Sequence, residues 1–427
     1  MKILWVCNVP VPEISKALNI PISFAGGWLD ILSNQVASTD DVELAISFPS
    51  SETSNILAGS TSSYKFYGFA NRRNRLNKYN SETESQFLEI IKQFEPHIVH
   101  IWGSELPHSL AMVNACKNAG IIDKVVISIQ GLASVYANHY LSSLPINVIY
   151  GRTLRDIIFN DSISKQQKMY EIRGRYEIEA LTKVSHVIGR TDWDKACVQK
   201  INSNLKYHFC NETLRYAFYN NRWNMEACEK FSIFTSQGTK PIKGLHFLLE
   251  ALAIVLKSYP NAHLYIAGHD LTKQRGSLFE KIKMTKYGQY LVELIDYYNL
   301  SENITFTGPL NEIEMSKRYL NSNVFVSPST IENSPNSIGE AMSLGVPVVA
   351  SNVGGVSSML EHNKQGFLYQ HDAPYMLAYY IKKIFNNNDS TLELSRKSVE
   401  KAMITHNKED NYRQMLEIYR EINSSLS

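Results

Sequence analysis

The stretch IENSPNSIGEAMSLGVPVVAS (Ile331–Ser351) joins two apolar segments through a short polar run. The segment before it, NVFVSPS at Asn323–Ser329, has the continuous apolar character of a buried strand, and GVPVVAS at its end predicts a second strand. The residues between them are enough for a short helix. A strand, a helix and a second strand in this order indicate the α/β class, with helices packed on a mostly parallel sheet.

Residues typical of helix ends bound the segment between these two strands. Ser334 is a candidate N-cap, Pro335 suits the first helical position, and Gly345 suits the residue that closes the helix. This assignment places Glu332 in the loop after the first strand and Glu340 inside the helix. The sequence therefore predicts two carboxylates on either side of a helix start.

The predicted position of this helix start favours ligand binding. In parallel sheets ligands bind at the carboxyl ends of the strands, and the first N–H groups of a helix attract anions. We expect the N–H groups of Asn336, Ser337 and Ile338 to face a phosphate, with Glu332 and Glu340 accepting hydrogen bonds from hydroxyl groups. The ligand is thus expected to carry a phosphate between hydroxyl-rich parts.

Length and composition narrow the class of protein. A chain of 427 residues exceeds what one hydrophobic core usually supports, so two domains are expected. The formal net charge of +2 is too small to argue for a nucleic acid partner. The five cysteines are dispersed without a CxxC pair, which indicates a reduced compartment and no structural zinc. The apolar runs are too short for a signal peptide or a membrane span, so we expect a cytoplasmic protein.

Short apolar segments alternate with helical patterns along most of the chain, which predicts βαβ units. The alternation stops after Gln130, resumes with YEIEALTKV, and is interrupted again by the polar segment NNRWNMEACEK at Asn220–Lys230, which we interpret as a linker. We therefore expect one doubly wound domain at residues 1–222 and a second at residues 223–405.

Two segments of the first half allow more than one interpretation. The apolar segment Leu141–Phe159 forms either core helices or the lip of a site for an apolar acceptor. The basic run NRRNR at Asn71–Arg75, set among aromatic residues from Tyr64 to Tyr79, is either a solvated loop or a contact to anionic lipid or an acidic acceptor.

The second half of the chain resembles a known family. Glu332 and Glu340 are separated by seven residues, EAMSLGVPVVASNVGG continues from the second of them, and IKGLHFLLEAL lies upstream. In combination these motifs resemble the retaining glycosyltransferases with an E-x7-E motif, a group-1, family-4-like set with the GT-B architecture. The first half resembles the same family more loosely, through FAGGWLDILSNQ and PHIVHIWG.

The resemblance implies two Rossmann-like, doubly wound domains that face each other across a cleft. The N-terminal domain would bind an acceptor and the C-terminal domain a nucleotide sugar, and a final helix at residues 406–427 would cross back to the N-terminal domain. The implied reaction transfers a sugar from the nucleotide sugar with its anomeric configuration kept, and needs neither a metal nor a cofactor.

The resemblance also implies roles for single residues. Glu340 would accept hydrogen bonds from the ribose hydroxyls of the donor, Glu332 would face the donor sugar, and Lys243 would neutralise the diphosphate. The glycine pair Gly26 and Gly27 would let the backbone approach a phosphate closely.

The chain departs from the family at two places. The family has an arginine shortly before the lysine, where this chain has Gln237 and Gly238, so Lys240 or backbone N–H groups would supply the second contact to the diphosphate. Many members have a histidine where this chain has Gln130, which can position a sugar hydroxyl but cannot act as a general base. Glutamine fits a retaining route in which the leaving phosphate takes the acceptor proton.

Two further patterns involve ionisable residues. Asp192 and Asp194 form a D-x-D pair, which holds Mn²⁺ in glycosyltransferases of another fold. Because Thr191 precedes them as a candidate N-cap, we interpret the two acids as part of a helix start and expect no metal. His100 lies on an apolar strand and is either a satisfied core histidine or a contact to donor or acceptor.

We therefore predict a retaining, metal-independent glycosyltransferase of the hexosyltransferase type. The acceptor is expected to be a saccharide, lipid-linked, in the synthesis of a bacterial-type surface polysaccharide, with peripheral contact to the anionic inner face of the membrane. The alternative is a non-catalytic GT-B scaffold that binds a nucleotide sugar, and the departures at Gln130 and Gly238 keep it open.

Overall fold

A computed structural model describes residues 1–23, 27–50, 55–70, 77–273 and 283–424. The chain folds into two compact units. The first consists of Met1–Val135, Met169–Arg215 and Thr405–Ser427, and the second of Tyr136–Lys168 and Tyr216–Ile404.

An eight-stranded sheet forms the centre of the first unit, within the residues described. Its strands are β1 (Lys2–Val6), β2 (Glu43–Ser50), β3 (Leu57–Ser60), β4 (Lys65–Ala70), β5 (Ile98–Trp102), β6 (Val125–Ser128), β7 (His186–Gly189) and β8 (Lys206–Phe209). They lie in the order β3-β4-β2-β1-β5-β6-β7-β8, and β3 alone among them runs antiparallel to its neighbour. The order of a doubly wound sheet reverses at one strand pair, here β1 and β5, which we call the switch point.

The second unit is built on a six-stranded sheet, counted over the described ranges. Its strands are β9 (Glu229–Thr235), β10 (His263–Ala267), β11 (Ile304–Gly308), β12 (Ser322–Ser327), β13 (Val348–Ser351) and β14 (Phe367–Tyr369). They are all parallel and lie in the order β11-β10-β9-β12-β13-β14, so the switch point of this sheet is the pair β9 and β12. Both units therefore confirm the predicted α/β class with parallel, Rossmann-like sheets.

Helices follow most of the strands. They are α1 (Pro12–Ala17), α2 (Leu29–Ala37), α3 (Ser81–Phe94), α4 (Pro107–Asn118), α5 (Ala133–His139), α6 (Ile146–Tyr150), α7 (Leu154–Ile158), α8 (Ile163–Lys183), α9 (Asp192–Ile201), α10 (Leu245–Leu256), α11 (Lys286–Tyr297), α12 (Glu312–Leu320), α13 (Asn336–Leu344), α14 (Val356–Met359), α15 (Pro374–Asn386), α16 (Asn388–Thr405) and α17 (Lys408–Ser424). Among the segments described, no helix combines the length and the apolar character that crossing a bilayer requires.

Both faces of the first sheet are buried, which explains the continuous apolar run at the N-terminus. Alternate side chains of β1 enter different cores: Leu4 belongs to one cluster and Trp5 to the other. Helix α17 covers the second face, where the Trp5 indole N–H donates to the Tyr419 hydroxyl at 2.9 Å. The end of the chain is thus part of the first unit.

The division of the chain differs from the expected boundary at residues 222/223. The longer segment of the second unit begins at Tyr216, because residues before the expected boundary are bound to this unit: the Ala217 backbone N–H donates to Glu312 Oε1 at 2.6 Å, and the Ser343 hydroxyl donates to the Phe218 carbonyl at 2.7 Å. In the expected linker, the Trp223 indole donates to the Ser322 carbonyl at 2.8 Å. An aromatic residue in a polar segment can anchor that segment by burial, which hydrophobic periodicity does not detect.

The segment Tyr136–Lys168 also belongs to the second unit, although residues 1–222 were expected to form the first domain. Two hydrogen bonds hold it there. The Thr330 hydroxyl donates to the His139 carbonyl at 3.3 Å, and the Lys286 backbone N–H donates to Asp156 Oδ2 at 3.0 Å. These partners are far apart along the chain, so the sequence did not indicate the association. The basic run at Asn71–Arg75 lies outside the described residues.

Candidate functional site

The switch point of the second sheet brings Lys243 and Glu332 together. Lys243 ends a 3₁₀ turn at Pro241–Lys243 after β9, and Glu332 lies in the loop after β12. Lys243 Nζ lies 2.5 Å from Glu332 Oε1, and the Ser329 hydroxyl donates to the same oxygen at 2.8 Å. The side chains of Lys243 and Glu332 are 26% and 10% exposed, respectively. Shielding a single charge from water is costly, and here each of the two charges compensates the other.

Two glycines let the backbone come close to the Glu332 loop. Gly244 has φ +68°, and a Cβ added to it would lie 1.9 Å from the Pro328 carbonyl oxygen. Gly354 has φ +52°, and its Cβ would lie 1.9 Å from the Glu332 carbonyl oxygen. The Gly355 N–H also donates to that oxygen at 3.1 Å. Glycine is therefore required at positions 244 and 354 by the close packing of the loop that carries Glu332.

The helix after this loop starts one residue later than predicted. Pro335, not Ser334, is the N-cap of α13, with φ −67° and ψ 121°, and no side chain caps the helix. The proline ring fixes φ but leaves ψ extended, so the helical conformation begins at Asn336. The Ser334 hydroxyl is buried without a hydrogen-bond partner among the described residues. Gly345 closes the helix in the left-handed conformation, as predicted, with φ +82°.

The first turn of α13 contains three residues that were predicted to contact the donor. Asn336, Ser337 and Ile338 form it, and the Ile338 N–H donates to the Pro335 carbonyl at 3.0 Å. Glu340 follows Asn336 by four residues and therefore lies on the same side of the helix, and its side chain is buried. Glu340 thus lies on the helix that follows the Glu332 loop, next to the switch point of β9 and β12.

The loop after β9 contains Gly238, in the region where the resemblance implies an arginine. A Cβ added to Gly238 would lie 2.7 Å from Leu245 Cδ2 and 2.9 Å from Ile266 Cγ2, so these two apolar side chains fill the space that a longer residue would need. Lys240 lies in the same loop, is exposed, and is the N-cap of the turn that ends at Lys243.

Gln130 belongs to a buried polar network of the first unit. Its Nε2 donates to Glu212 Oε1 at 2.5 Å, and Glu212 Oε2 lies 2.8 Å from Arg190 Nη1. Both ion-pair partners are buried, and the His406 ring binds the Glu212 carbonyl at 2.8 Å. Sequence reasoning missed Arg190 and Glu212, although both follow strands, β7 and β8, at the carboxyl edge of the sheet.

Two residues are of interest at the switch point of the first sheet. Gly27 was predicted from the sequence, and Glu105 was missed. A Cβ added to Gly27 would lie 3.5 Å from Arg215 Cδ, so a cationic side chain covers the glycine. The Asn8 Nδ2 donates to Glu105 Oε1 at 3.2 Å, and burial raises the pKa of Glu105 to about 7. Gly26 lies outside the described residues. The position of Glu105, three residues after the end of β5, is the sequence signal that could have identified it as a candidate site residue.

His100 and the D-x-D pair have structural roles. The His100 Nδ1 binds the Tyr419 hydroxyl at 2.6 Å and its Nε2 binds the Ser128 hydroxyl at 2.7 Å, while burial lowers the pKa of His100 to about 3. His100 is thus a satisfied core histidine. Thr191 caps α9 in a capping box with Asp194, as predicted. Among the residues that the structure describes, no three His, Cys, Asp or Glu side chains are grouped to hold a metal ion.

Comparison with known proteins matches residues 221–403 to the family model of glycosyl transferases group 1. A protein of Haemophilus influenzae named an uncharacterized glycosyltransferase is 28% identical over 157 residues, 36% of this chain and 40% of that protein. The chain thus spans about two-fifths of the length of the curated relatives it matches.

Two solved structures show the fold. Sucrose-phosphate synthase from Thermosynechococcus elongatus has a TM-score of 0.73 at 15% identity, with 100% of both chains covered. The Anabaena protein HepE, solved in complex with UDP-glucose, has a TM-score of 0.67 at 15% identity, with 99% of this chain and 100% of that chain covered. The chain therefore has the GT-B fold, and its residues 221–403 match the glycosyl transferases group 1.

Proposed function

We propose that this protein is a retaining glycosyltransferase whose second unit binds a nucleotide sugar. The observation that carries the proposal is the Lys243–Glu332 pair, 2.5 Å apart at the switch point of β9 and β12. A cation and a carboxylate at one sheet edge suit the two ends of a sugar diphosphate, because the ammonium attracts phosphate oxygens and the carboxylate accepts from sugar hydroxyls. The UDP-glucose bound by HepE, a protein with the same fold, supports a nucleotide-sugar donor.

Each donor contact is proposed from the chemistry of its position. Lys243 stabilises the charge that develops on the leaving diphosphate, with Lys240 and the backbone N–H groups of Asn336 and Ser337 as further phosphate contacts. The Ile338 N–H, predicted as a third backbone contact, already donates to the Pro335 carbonyl and is not included. Glu332 holds the hydroxyls of the transferred sugar. Glu340, buried on the first turns of α13, accepts hydrogen bonds from the ribose. Gly26 and Gly27 are proposed backbone contacts to the donor phosphate.

Retention of configuration is proposed through proton transfer from the acceptor to the leaving phosphate. Gln130, proposed to contact the reacting sugar, cannot accept that proton, and its amide is held by Glu212. The protein then contributes position and electrostatic stabilisation, with no cofactor and no metal required. The proposed acceptor is a lipid-linked saccharide of a surface polysaccharide, reached from the cytoplasmic face of the membrane.

A panel of UDP-, GDP-, ADP- and CMP-sugars, together with the free nucleotides, tests donor binding. A ligand at about 100 times its Kd stabilises a protein by roughly 2.7 kcal/mol, which thermal unfolding detects readily. We expect a shift with one nucleotide family. Absence of a shift with every compound would contradict the donor site.

Substitution of Glu332 by Gln tests catalysis separately. We expect turnover of the identified donor to fall by about 100-fold, because the substitution removes the charge beside the reacting sugar. Glu361→Gln, which alters an exposed glutamate of the same unit, is the control and should leave turnover unchanged. Turnover of Glu332→Gln within about threefold of the unsubstituted protein would reject the assigned role. The anomer of the product, read by NMR, tests retention.

A non-catalytic scaffold that binds nucleotide sugars is the second candidate. The space filled by Leu245 and Ile266 beside Gly238, where relatives would place an arginine, favours it, because one fewer cation faces the diphosphate. This candidate predicts a thermal shift with a nucleotide sugar and no transfer to any acceptor. Product formation with any acceptor would reject it.

A further inference from the structure

Residues 146–159 of the second unit display large apolar side chains to solvent. Six of them, which we call the apolar patch, are each at least 56% exposed: Ile146, Tyr150, Leu154, Ile157, Ile158 and Phe159. Single exposed apolar residues are ordinary on protein surfaces, but a concentration of them marks a contact with another protein or a membrane. The segment was expected to form either core helices or the lip of a site, and the exposure rules out the first interpretation for these side chains.

Helix α7 has the reverse of ordinary amphipathicity. Leu154, Ile157 and Ile158 have the i, i+3, i+4 spacing that normally faces a core. Here these residues face solvent, while the side chain of Asp156 is 1% exposed. A helix that buries its acidic residue and exposes its apolar face is suited to contact another molecule through that face.

Hydrogen bonds hold α7 in this orientation. Thr153 and Asp156 form a capping box, and the Lys286 backbone N–H donates to Asp156 Oδ2 at 3.0 Å. Arg155 Nη1 donates to Asp161 Oδ2 at 3.2 Å. The buried Asp156 thus has hydrogen-bond partners both at the start of α7 and on α11. These hydrogen bonds fix the orientation in which the apolar patch faces solvent.

The segment around the apolar patch is cationic. Residues 136–168 contain four basic and two acidic residues, a net charge of +2, which equals the net charge of the whole chain, so the charges of all other residues balance. Arg152, Lys165 and Lys168 are exposed, whereas Asp156 is buried. Apolar side chains beside exposed cations are typical of surfaces that lie in the interface of an anionic bilayer.

We propose that the apolar patch docks on an anionic phospholipid bilayer. The apolar side chains would enter the boundary between headgroups and acyl chains, and Arg152, Lys165 and Lys168 would face the lipid phosphates. A symmetric contact between two copies of the chain would instead bring the same cations together, which disfavours it. The proposal deepens the proposed function, since it names the surface by which an enzyme acting on a lipid-linked acceptor reaches its membrane.

Flotation of the full chain with vesicles tests the proposal. We expect binding to phosphatidylcholine vesicles that contain phosphatidylglycerol and much weaker binding to phosphatidylcholine alone. The double substitution Ile157→Asp and Ile158→Asp should lower the bound fraction by at least about tenfold, because two apolar groups that enter the bilayer become charged. The matched control is Ile313→Asp with Ile404→Asp, two exposed isoleucines of the same unit outside the patch, and it should bind like the unsubstituted protein.

Several outcomes would overturn the proposal. These are absence of binding to anionic vesicles, equal binding to neutral vesicles, and unchanged binding of the patch variant. A dimer in solution that the patch variant dissociates would show that a second copy covers the patch. Thermal unfolding checks that each variant folds, and Ile158→Asp alone replaces the double variant if that one does not. The vesicle assay contains no nucleotide sugar, so a failed donor site and a failed docking surface give separate results.

Discussion

One carboxylate oxygen of Glu332, Oε1, accepts from both the Lys243 ammonium and the Ser329 hydroxyl. The pair is largely shielded from water, so removing one partner leaves the other charge poorly compensated. At the scale of single residues, we therefore expect Lys243 and Glu332 to contribute to stability as a coupled pair.

A double-mutant cycle measures this coupling. We expect Lys243→Met and Glu332→Gln each to lower the free energy of unfolding by about 1–3 kcal/mol, with a coupling of about 1–2 kcal/mol because the second substitution removes a charge already unpaired. Urea unfolding gives the values. The exposed pair Lys364 and Glu361 is the control, and its coupling should stay below about 0.5 kcal/mol. Equal coupling in the two pairs would show that shielding of the site pair contributes nothing.

Glu105 gives a second prediction at this scale. Its pKa rises from 4.5 to about 7 on folding because of burial, so between these values the folded state binds more protons than the unfolded chain and stability falls as pH rises. Glutamine does not titrate, so the Glu105→Gln variant does not lose stability in this way as pH rises. The advantage of the variant over the unsubstituted protein should grow by about 2–3 kcal/mol from pH 5 to pH 8 in urea unfolding. A difference that does not change with pH would contradict the assigned burial.

At the scale of elements, the loop after β12 restricts which residue types can occupy the positions packed against it. Its carbonyl oxygens approach Gly244 and Gly354 so closely that a Cβ at either place would overlap with them. Both glycines also have positive φ, which L-residues with side chains rarely adopt. Strain from the backbone conformation and overlap with the loop can be separated, because Gly308 has positive φ, +77°, with open space around it.

Alanine at two glycines separates these causes. Gly308→Ala should lower the free energy of unfolding by about 1–2 kcal/mol, the cost of the left-handed conformation alone. Gly354→Ala should cost at least about 2 kcal/mol more, because the methyl group displaces the Glu332 loop, and it should also weaken nucleotide-sugar binding. Similar values for the two variants in urea unfolding would mean that the loop moves freely away from Gly354.

At the scale of the whole molecule, buried histidines occur in both units. Burial lowers the pKa of His100 and His246 to about 3, and of His108 and His406 to about 4. Since each folded pKa lies below the unfolded value of 6.5, the unfolded chain binds more protons over this interval. These four groups therefore destabilise both units as pH falls below about 6.5.

Calorimetry across pH tests this expectation. The unfolding temperature should fall steadily from pH 7 to pH 4.5, because the four histidines together outweigh the opposite contribution of Glu105. His246→Leu should flatten the dependence in the second unit, where the His246 Nε2 is buried without a hydrogen-bond partner within the described segments. Stability that stays constant over this range would show that the histidines remain accessible to protons.

Much of the fold and part of the site followed from patterns that are local in the chain. Alternating apolar segments predicted parallel sheets, Thr191 and Gly345 predicted helix ends, and the spacing of Glu332 and Glu340 placed both carboxylates near one helix start. Local patterns suffice here because strand burial, helix capping and left-handed helix ends depend on residues within a few positions of each other.

The tertiary structure alone decided the features that join distant residues. Lys243 and Glu332 are 89 positions apart, and Gln130 meets Glu212 over 82 positions. The start of α13, the membership of Tyr136–Lys168 in the second unit, and the outward display of α7 depend on packing against other elements. Hydrophobic periodicity predicts that a face is apolar. Whether that face is buried depends on which elements the fold places against it, and in α7 the buried place is taken by Asp156 and its partners.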